Sequence, residues 1–176
     1  MENLLLHICC ASCATAVIEK LRNENYKVSG LFYNPNIYPL EEYHKRLDSL
    51  ENLATKIDLP LIIGLYDTKK WEKQTQGLEN ETENGERCKI CYRMRFEYTV
   101  KIAKSKGYEV FTTTLTISPH KSASRINYIG QEIGERYGIK FLSLDFKKQN
   151  GFKRSIVLSK EYKLYRQSYC GCKYSL

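Results

Sequence analysis

The stretch NLLLHICCASC, Asn3 to Cys13, decides how the rest of the chain is read. Asn3 to Ile8 is short and apolar, the pattern of a buried strand. It leads directly into Cys9 and Cys10. Ser12 is placed to cap the helix that follows, whose Ala14, Val17, Ile18 and Leu21 fall on one face. Such a strand-to-helix turn presents thiols where other α/β proteins present phosphate-binding glycines. The helix N-terminus beside them favours thiolates and therefore metal binding.

Outward from that turn, strands and helices alternate. Lys27 to Tyr33 reads as a second strand, ended by the turn residues Asn34-Pro35-Asn36. A helix from about Leu40 to Ile57 carries Tyr43, Leu47, Leu50, Ala54 and Ile57 as its core stripe, and Leu61 to Leu65 is a third strand. Gly77 to Arg87 is polar and acidic, the best candidate for a mobile loop. Helical spacing resumes from about Cys91 to Lys106, with Gly107 as its C-cap. Val110 to Thr113 is a strand, Ala123 to Tyr137 a helix with Ile126, Ile129 and Ile133 inward, Lys140 to Leu144 a strand, and Ser155 to Tyr165 a last helix. No repeat, low-complexity tract or linker interrupts the chain, so residues 1–176 are expected to form one α/β domain. Its architecture is three-layered, a mainly parallel sheet covered by helices on both faces.

In such sheets ligands bind outside the carboxyl ends of the strands. Cys9 and Cys10 follow the first strand, Asn34 and Pro35 the second, Thr114 and Ser118 the fourth and Asp145 the fifth. The unusual residues therefore collect on one edge.

The seven cysteines fall in three groups: Cys9, Cys10 and Cys13; Cys88 and Cys91; Cys170 and Cys172. Ordinary core thiols would be scattered singly. Nothing near the N-terminus reads as a signal peptide and no apolar run reaches the roughly 20 residues of a membrane helix, so the expected compartment is the cytoplasm, without membrane attachment. There structural disulfides are disfavoured, and grouped cysteines read as metal ligands or redox partners. A structural zinc or an iron–sulfur cluster each takes four ligands. Seven less four leaves three, enough for a second, open metal position; two zincs would need a ligand from elsewhere, such as His7, His120 or Asp145. His7 is better read as a hydrogen-bonded strand residue and His44 as an exposed helix residue. The formal net charge of +8 suits a polyanionic partner and equally a lysine-rich surface.

The segments HICCASC, YNPNIYPLEEYHKR, RCKICYRMR, TTTLTISPHKS and DFKKQNGFKRSIVLSKEYKLYRQSYCGCKYSL resemble, in this order, the QueH-type epoxyqueuosine reductases. The resemblance runs from about Leu4 to Leu176. It implies a fold like that of the adenine-nucleotide α-hydrolase and PP-loop group, Rossmann-like in its layers. It further implies a [4Fe–4S] cluster with an adjacent iron ion, held among Cys9, Cys10, Cys13, Cys88, Cys91, Cys170 and Cys172. Some relatives carry Asp at the Cys13 position, and the division of ligands between cluster and iron stays open. The implied reaction is reduction of the epoxide of epoxyqueuosine at the wobble position of tRNA, with tRNA and an external ferredoxin- or flavodoxin-like electron donor as partners.

An open iron would act as Lewis acid on the epoxide oxygen and a cluster would deliver electrons singly. The chemistry is accordingly expected at Cys9 and Cys10, with Asp145, Glu42 and Tyr43 as candidate proton donors or supporting groups. Glu42 and Tyr43 read equally well as an ordinary first turn and a core tyrosine. Lys147, Lys148, Lys153, Arg154, Lys160, Lys163, Arg166 and Lys173 form a basic C-terminal third able to track phosphates. Arg87, Arg93 and Arg95 flank the CxxC pair and are candidates for pairing with phosphate or with the negative charge of a cluster. Two rival readings are a PP-loop tRNA thiolase and a zinc-bound RNA-binding module. The first needs a glycine-rich turn after strand one, where CCASCA stands instead. The second leaves three cysteine groups at one sheet edge unexplained.

Overall fold

The computed structural model describes residues 1–176. Its strands are β1 (Asn3–His7), β2 (Lys27–Phe32), β3 (Leu61–Ile63), β4 (Val110–Thr113) and β5 (Lys140–Phe141). Its helices are α1 (Ala11–Asn23), α2 (Leu40–Lys56), α3 (Thr68–Thr75), α4 (Glu86–Lys106), α5 (Ala123–Tyr137) and α6 (Gly151–Glu161). All five strands are parallel, in the order β3-β2-β1-β4-β5. The chain winds outward from β1 through β2 to β3, then returns to place β4 on the other side of β1. The switch point therefore lies between β1 and β4, where His7 is in register with Thr113. Ligands of open α/β sheets bind at this crevice.

Alternation along β1 decides which helices cover which face. Leu4, Leu6 and Ile8 join a core with Val17 and Leu21 of α1, Leu50 and Leu53 of α2 and Leu158 of α6. Leu5 joins the opposite core with Phe96 and Val100 of α4 and Ile126, Ile129 and Ile133 of α5. Each fully buried Leu or Ile contributes about 1.5–3 kcal/mol relative to exposure, so a one-residue slip of β1 would exchange both cores at once. Gly130 lets α5 approach β5: a Cβ there would lie 2.4 Å from the Phe141 ring.

Several boundaries differ from expectation. Cys10, not Ser12, is the N-cap of α1, and the Ser12 hydroxyl turns to other partners. α4 begins at Glu86, so Cys88 and Cys91 both lie in its first two turns, and Gly107 closes it in the left-handed conformation at φ 75°. β5 spans two residues rather than five, because Leu142 onward leaves the sheet as loop. α6 starts at Gly151 and stops at Glu161. The short α3, capped by the Asp67 carboxylate accepting from the Lys70 N–H at 3.1 Å, was not foreseen. The acidic segment read as a mobile loop is a run of turns tied by Arg87, whose Nη1 donates to the carbonyls of Leu78, Glu79 and Glu81.

Candidate metal centre

The β1–α1 turn assembles three thiols by local geometry alone. The sulfurs of Cys9, Cys10 and Cys13 lie within 4.8 Å of one another, and Cys9 Sγ is 3.7 Å from Cys10 Sγ. Four thiolates at about 2.3 Å from a tetrahedral metal would stand about 3.8 Å apart, so this edge fits a single first-row ion. Thr114, just past β4, accepts the Cys9 N–H at 3.2 Å and places its hydroxyl 3.3 Å from Cys9 Sγ. The first turn of α1 has no acidic residue and no side-chain cap, so the positive end of its dipole begins unopposed at Cys10.

The triad shares its protons unequally. Hydrogen bonding with Cys10 and Cys13 holds Cys9 well below the ordinary thiol range. Burial pushes Cys10 up to about 12, and hydrogen bonding with Cys10 and Cys9 raises Cys13. The proton is thus held least tightly at Cys9, and a cation would take the place of the protons on Cys10 and Cys13. Gln167 attends them: Nε2 donates to Cys10 Sγ at 2.8 Å and to Cys13 Sγ at 3.8 Å, while Oε1 accepts from the Ser12 hydroxyl at 3.4 Å.

Of the other four cysteines, Cys91, Cys170 and Cys172 share a neighbouring apolar cluster, and Cys88 packs at the edge of the core formed by α4 and α5. Cys91 and Cys172 are buried in a small cluster with Trp71 and Met94, against which Cys170 packs. Cys88, one helical turn before Cys91, accepts the Asn84 N–H at 3.3 Å. The segment bearing Cys170 and Cys172 is held by α2. Arg46, 1 % exposed, donates from Nη2 to the Tyr169 carbonyl at 2.9 Å and from Nη1 to the Cys170 carbonyl at 3.0 Å. Its Nε donates to Glu42 at 2.8 Å, and the other Glu42 oxygen accepts from the Tyr165 hydroxyl at 2.7 Å. Gly171 has φ +112°, and a Cβ there would meet Ile37 at 3.0 Å and Arg46 at 3.1 Å. Only glycine suits that crossing.

Both groups open on one cleft of about 390 Å³, lined by Cys9 and Cys13 from the triad and by Cys170 from the other four. Arg95, Lys121, His120 and Arg166 give it a basic wall, relieved by Glu83. Of the three arginines beside CxxC, Arg87 is spent on carbonyls and Arg93 on Glu132 at 2.8 Å. Arg95 alone of these three lines the cleft.

The expected supporting residues separate. His7 is a core residue as read: one ring nitrogen meets the Tyr33 carbonyl and the other the Thr113 hydroxyl, each at 3.0 Å. Burial, then Arg95, lowers its pKa to about 4, so the ring is neutral. Tyr43 packs in the core against Tyr66 and Phe32. Asp145 is not among the residues lining the cleft; its carboxylate accepts from the Lys147 N–H at 3.2 Å and pairs with Lys147 Nζ at 3.3 Å. Of the eight basic residues of the C-terminal third, only Arg166 lines the cleft. Arg154 is engaged by Glu19 at 2.7 and 2.9 Å, and Lys173 by Glu72 at 2.9 Å. Arg46 and Gln167 had no role in the sequence reading; the only local trace of Arg46 is its i,i+4 spacing from Glu42.

No helix is long and apolar enough to cross a membrane. Among solved structures, a predicted subunit of a tRNA methyltransferase from Methanocaldococcus jannaschii superposes with a TM-score of 0.62 at 13 % identity, over 92 % of this chain and 75 % of that one. The U34-tRNA thiolase NcsA from Methanococcus maripaludis, solved with its [4Fe–4S] cluster, gives 0.59 at 14 % identity, over 99 % of this chain and 60 % of that one. These likenesses establish the fold. Sequence is more specific. Epoxyqueuosine reductases QueH from Acinetobacter baylyi and Thermotoga maritima are 40 % and 37 % identical to this chain, covering 99 % and 100 % of it and 81 % and 91 % of their own lengths. That of Streptococcus pyogenes is 36 % identical over 98 % of this chain and 70 % of its own. The model of the family "Epoxyqueuosine reductase QueH" matches residues 4–176. With every cysteine group inside that match, the chain belongs to the QueH family of epoxyqueuosine reductases, oxidoreductases of queuosine biosynthesis.

Proposed function

We propose that this chain reduces the epoxide of epoxyqueuosine in tRNA at a metal centre divided between its two cysteine groups. In this reading Cys88, Cys91, Cys170 and Cys172 hold a [4Fe–4S] cluster, and Cys9, Cys10 and Cys13 hold an adjacent iron with an open position. The single observation that carries it is the shared cleft, lined by Cys9 and Cys13 from one group and Cys170 from the other. The donor sets fit: soft thiolates in both, with ion-sized spacing in the triad, and with Cys91, Cys170 and Cys172 in one cluster and Cys88 one helical turn before Cys91. Bound there, the metals would supply single electrons and a Lewis acid beside them.

The chain's own residues position, neutralise and protonate. Conversion of epoxide to alkene consumes two electrons and two protons and releases the oxygen as water. The electrons come from an external carrier of the ferredoxin or flavodoxin kind. Imidazole is the side-chain type best suited to proton transfer near neutrality, which makes His120 of the cleft wall the proposed donor. Asp145 then acts at a distance: it fixes Lys147, whose Nζ donates to the carbonyls of Thr116 and Lys121 at 2.8 and 3.2 Å and so braces that wall. Arg166 is offered to the anticodon-loop phosphates, while Arg95, buried beside Cys91, Cys9 and Cys170, and Lys121 face the negative charge of the centre and of the leaving oxygen. The base enters unpaired, as single-stranded recognition requires.

The test is direct. Iron-replete protein, a reduced donor and tRNA bearing epoxyqueuosine should yield queuosine without ATP or cobalamin, seen by mass spectrometry of the nucleosides as loss of one oxygen. Unchanged epoxyqueuosine overturns the reading.

A further inference from the structure

Trp71 is the sole tryptophan of the chain, and it is buried at 2 % exposure on α3. Its ring packs with Cys91, Cys172 and Met94, and Cys170 lies against the same cluster. Its outer side stacks on Tyr174, with centroids 6.2 Å apart and planes inclined by 28°. Yet the indole Nε1–H has no hydrogen-bond partner. A buried donor left unpaired costs about 1–3 kcal/mol, and a phenylalanine or leucine would fill an apolar pocket without that cost. The polypeptide offers no acceptor there. The neighbouring groups are thiols, which are weak acceptors; in metal-bound form they become thiolates, with inorganic sulfide beside them.

We infer that the Trp71 indole N–H donates a hydrogen bond to a sulfur of the cluster held by Cys88, Cys91, Cys170 and Cys172, and thereby raises its reduction potential. This rests on the division of ligands proposed above. One-electron reduction adds a negative charge that spreads over the sulfurs, so an N–H···S bond strengthens on reduction and favours the reduced form. Trp71 is a positioning residue in this account: it touches the cluster's sulfur, not the substrate, and sets how readily electrons arrive.

Because the tryptophan is single, labelling the unmutated protein with ¹⁵N-indole tryptophan gives one reporter. Pulsed EPR of the reduced cluster should show one ¹⁵N coupling, together with a proton coupling that disappears in D₂O. Trp71→Phe should disfavour the reduced cluster about tenfold, a fall of about 59 mV for a one-electron couple. A cluster that forms but shows neither coupling, or keeps its potential in Trp71→Phe, overturns the inference and leaves the ligand division standing. Absence of any cluster signal, after reconstitution of the unmutated protein, overturns both. Should Trp71→Phe fail to assemble, the labelled unmutated protein decides alone.

Discussion

Arg46 and Cys170, 124 residues apart in sequence, are joined by a hydrogen bond from the guanidinium Nη1 to the backbone carbonyl at 3.0 Å. The bond ties the segment bearing Cys170 and Cys172 to α2 rather than to the helices that carry the other cysteines. Removing Arg46 would leave the carbonyls of Tyr169 and Cys170 without their donor and Glu42 as a buried, uncompensated charge. Arg46→Met should therefore cost about 3–5 kcal/mol of stability, read from denaturant midpoints at constant slope. Acid-labile sulfide should fall with it, while one iron per chain remains in the triad.

The two cysteine groups should fail separately. Cys88→Ser or Cys172→Ser is expected to remove sulfide and leave about one tightly held iron. Cys10→Ser is expected to keep the cluster and lose the single iron, since an alcohol does not replace a thiolate at a soft centre. Combined iron and sulfide analysis with Mössbauer spectra distinguishes the two. Loss of everything in every variant would mean that the groups form one indivisible site.

Gln167 should matter to the triad without being a ligand. Gln167→Leu removes the only side-chain amide that donates to Cys10 and Cys13. Supporting contacts of this kind are worth about 10–100-fold in metal affinity, measured by chelator competition. Gln167→Glu should do worse, because a carboxylate faces the same sulfurs with a negative charge.

His7 gives the metal-free protein a specific sensitivity to acid. Its folded pKa, about 4, lies below the ordinary 6.5, so its contribution is present above pH 6.5 and is lost as pH falls through 6.5 towards 4. The difference corresponds to about 3 kcal/mol. His7→Gln keeps one donor and one acceptor for Tyr33 and Thr113 without titrating, and its stability should stay flat between pH 6.5 and 5, where carboxylates are still ionised.

Charge alone does not predict the nucleic-acid face. Arg166→Glu, at the cleft, should weaken tRNA binding and reduce the salt slope by about one. Arg154→Glu should change little, because that guanidinium is already engaged by Glu19.

What the sequence made legible follows the range of the interactions involved. The β1–α1 turn, with its three thiols, is local, and its placement follows from one apolar run and one amphipathic helix. The CxxC pair is local in the same way. α3 was hidden because TKKWEKQT buries only Trp71 and Thr75, too few apolar positions to show a period. Asp145 is expected at the site if β5 runs on to Leu144; the strand ends at Phe141, and Asp145 lies in the loop beyond it, paired with Lys147 behind the cleft wall and outside the lining. Arg46 and Gln167 bond to partners across more than a hundred residues. No spacing rule encodes such a pair.

The contrast between the two cysteine groups also orders the making of the protein. Cys9, Cys10 and Cys13 can converge as soon as β1 and α1 have packed. Cys88 and Cys91 wait for Cys170 and Cys172 until α5, β5 and α6 have been synthesised and Arg46 has captured the Tyr169–Cys170 backbone. A chain in the course of translation therefore presents a bare dithiol at the head of α4 for as long as that takes. On the ligand division proposed above, the site of Cys88, Cys91, Cys170 and Cys172 matures after the triad, and oxidants acting in that interval compete with iron for the Cys88–Cys91 pair.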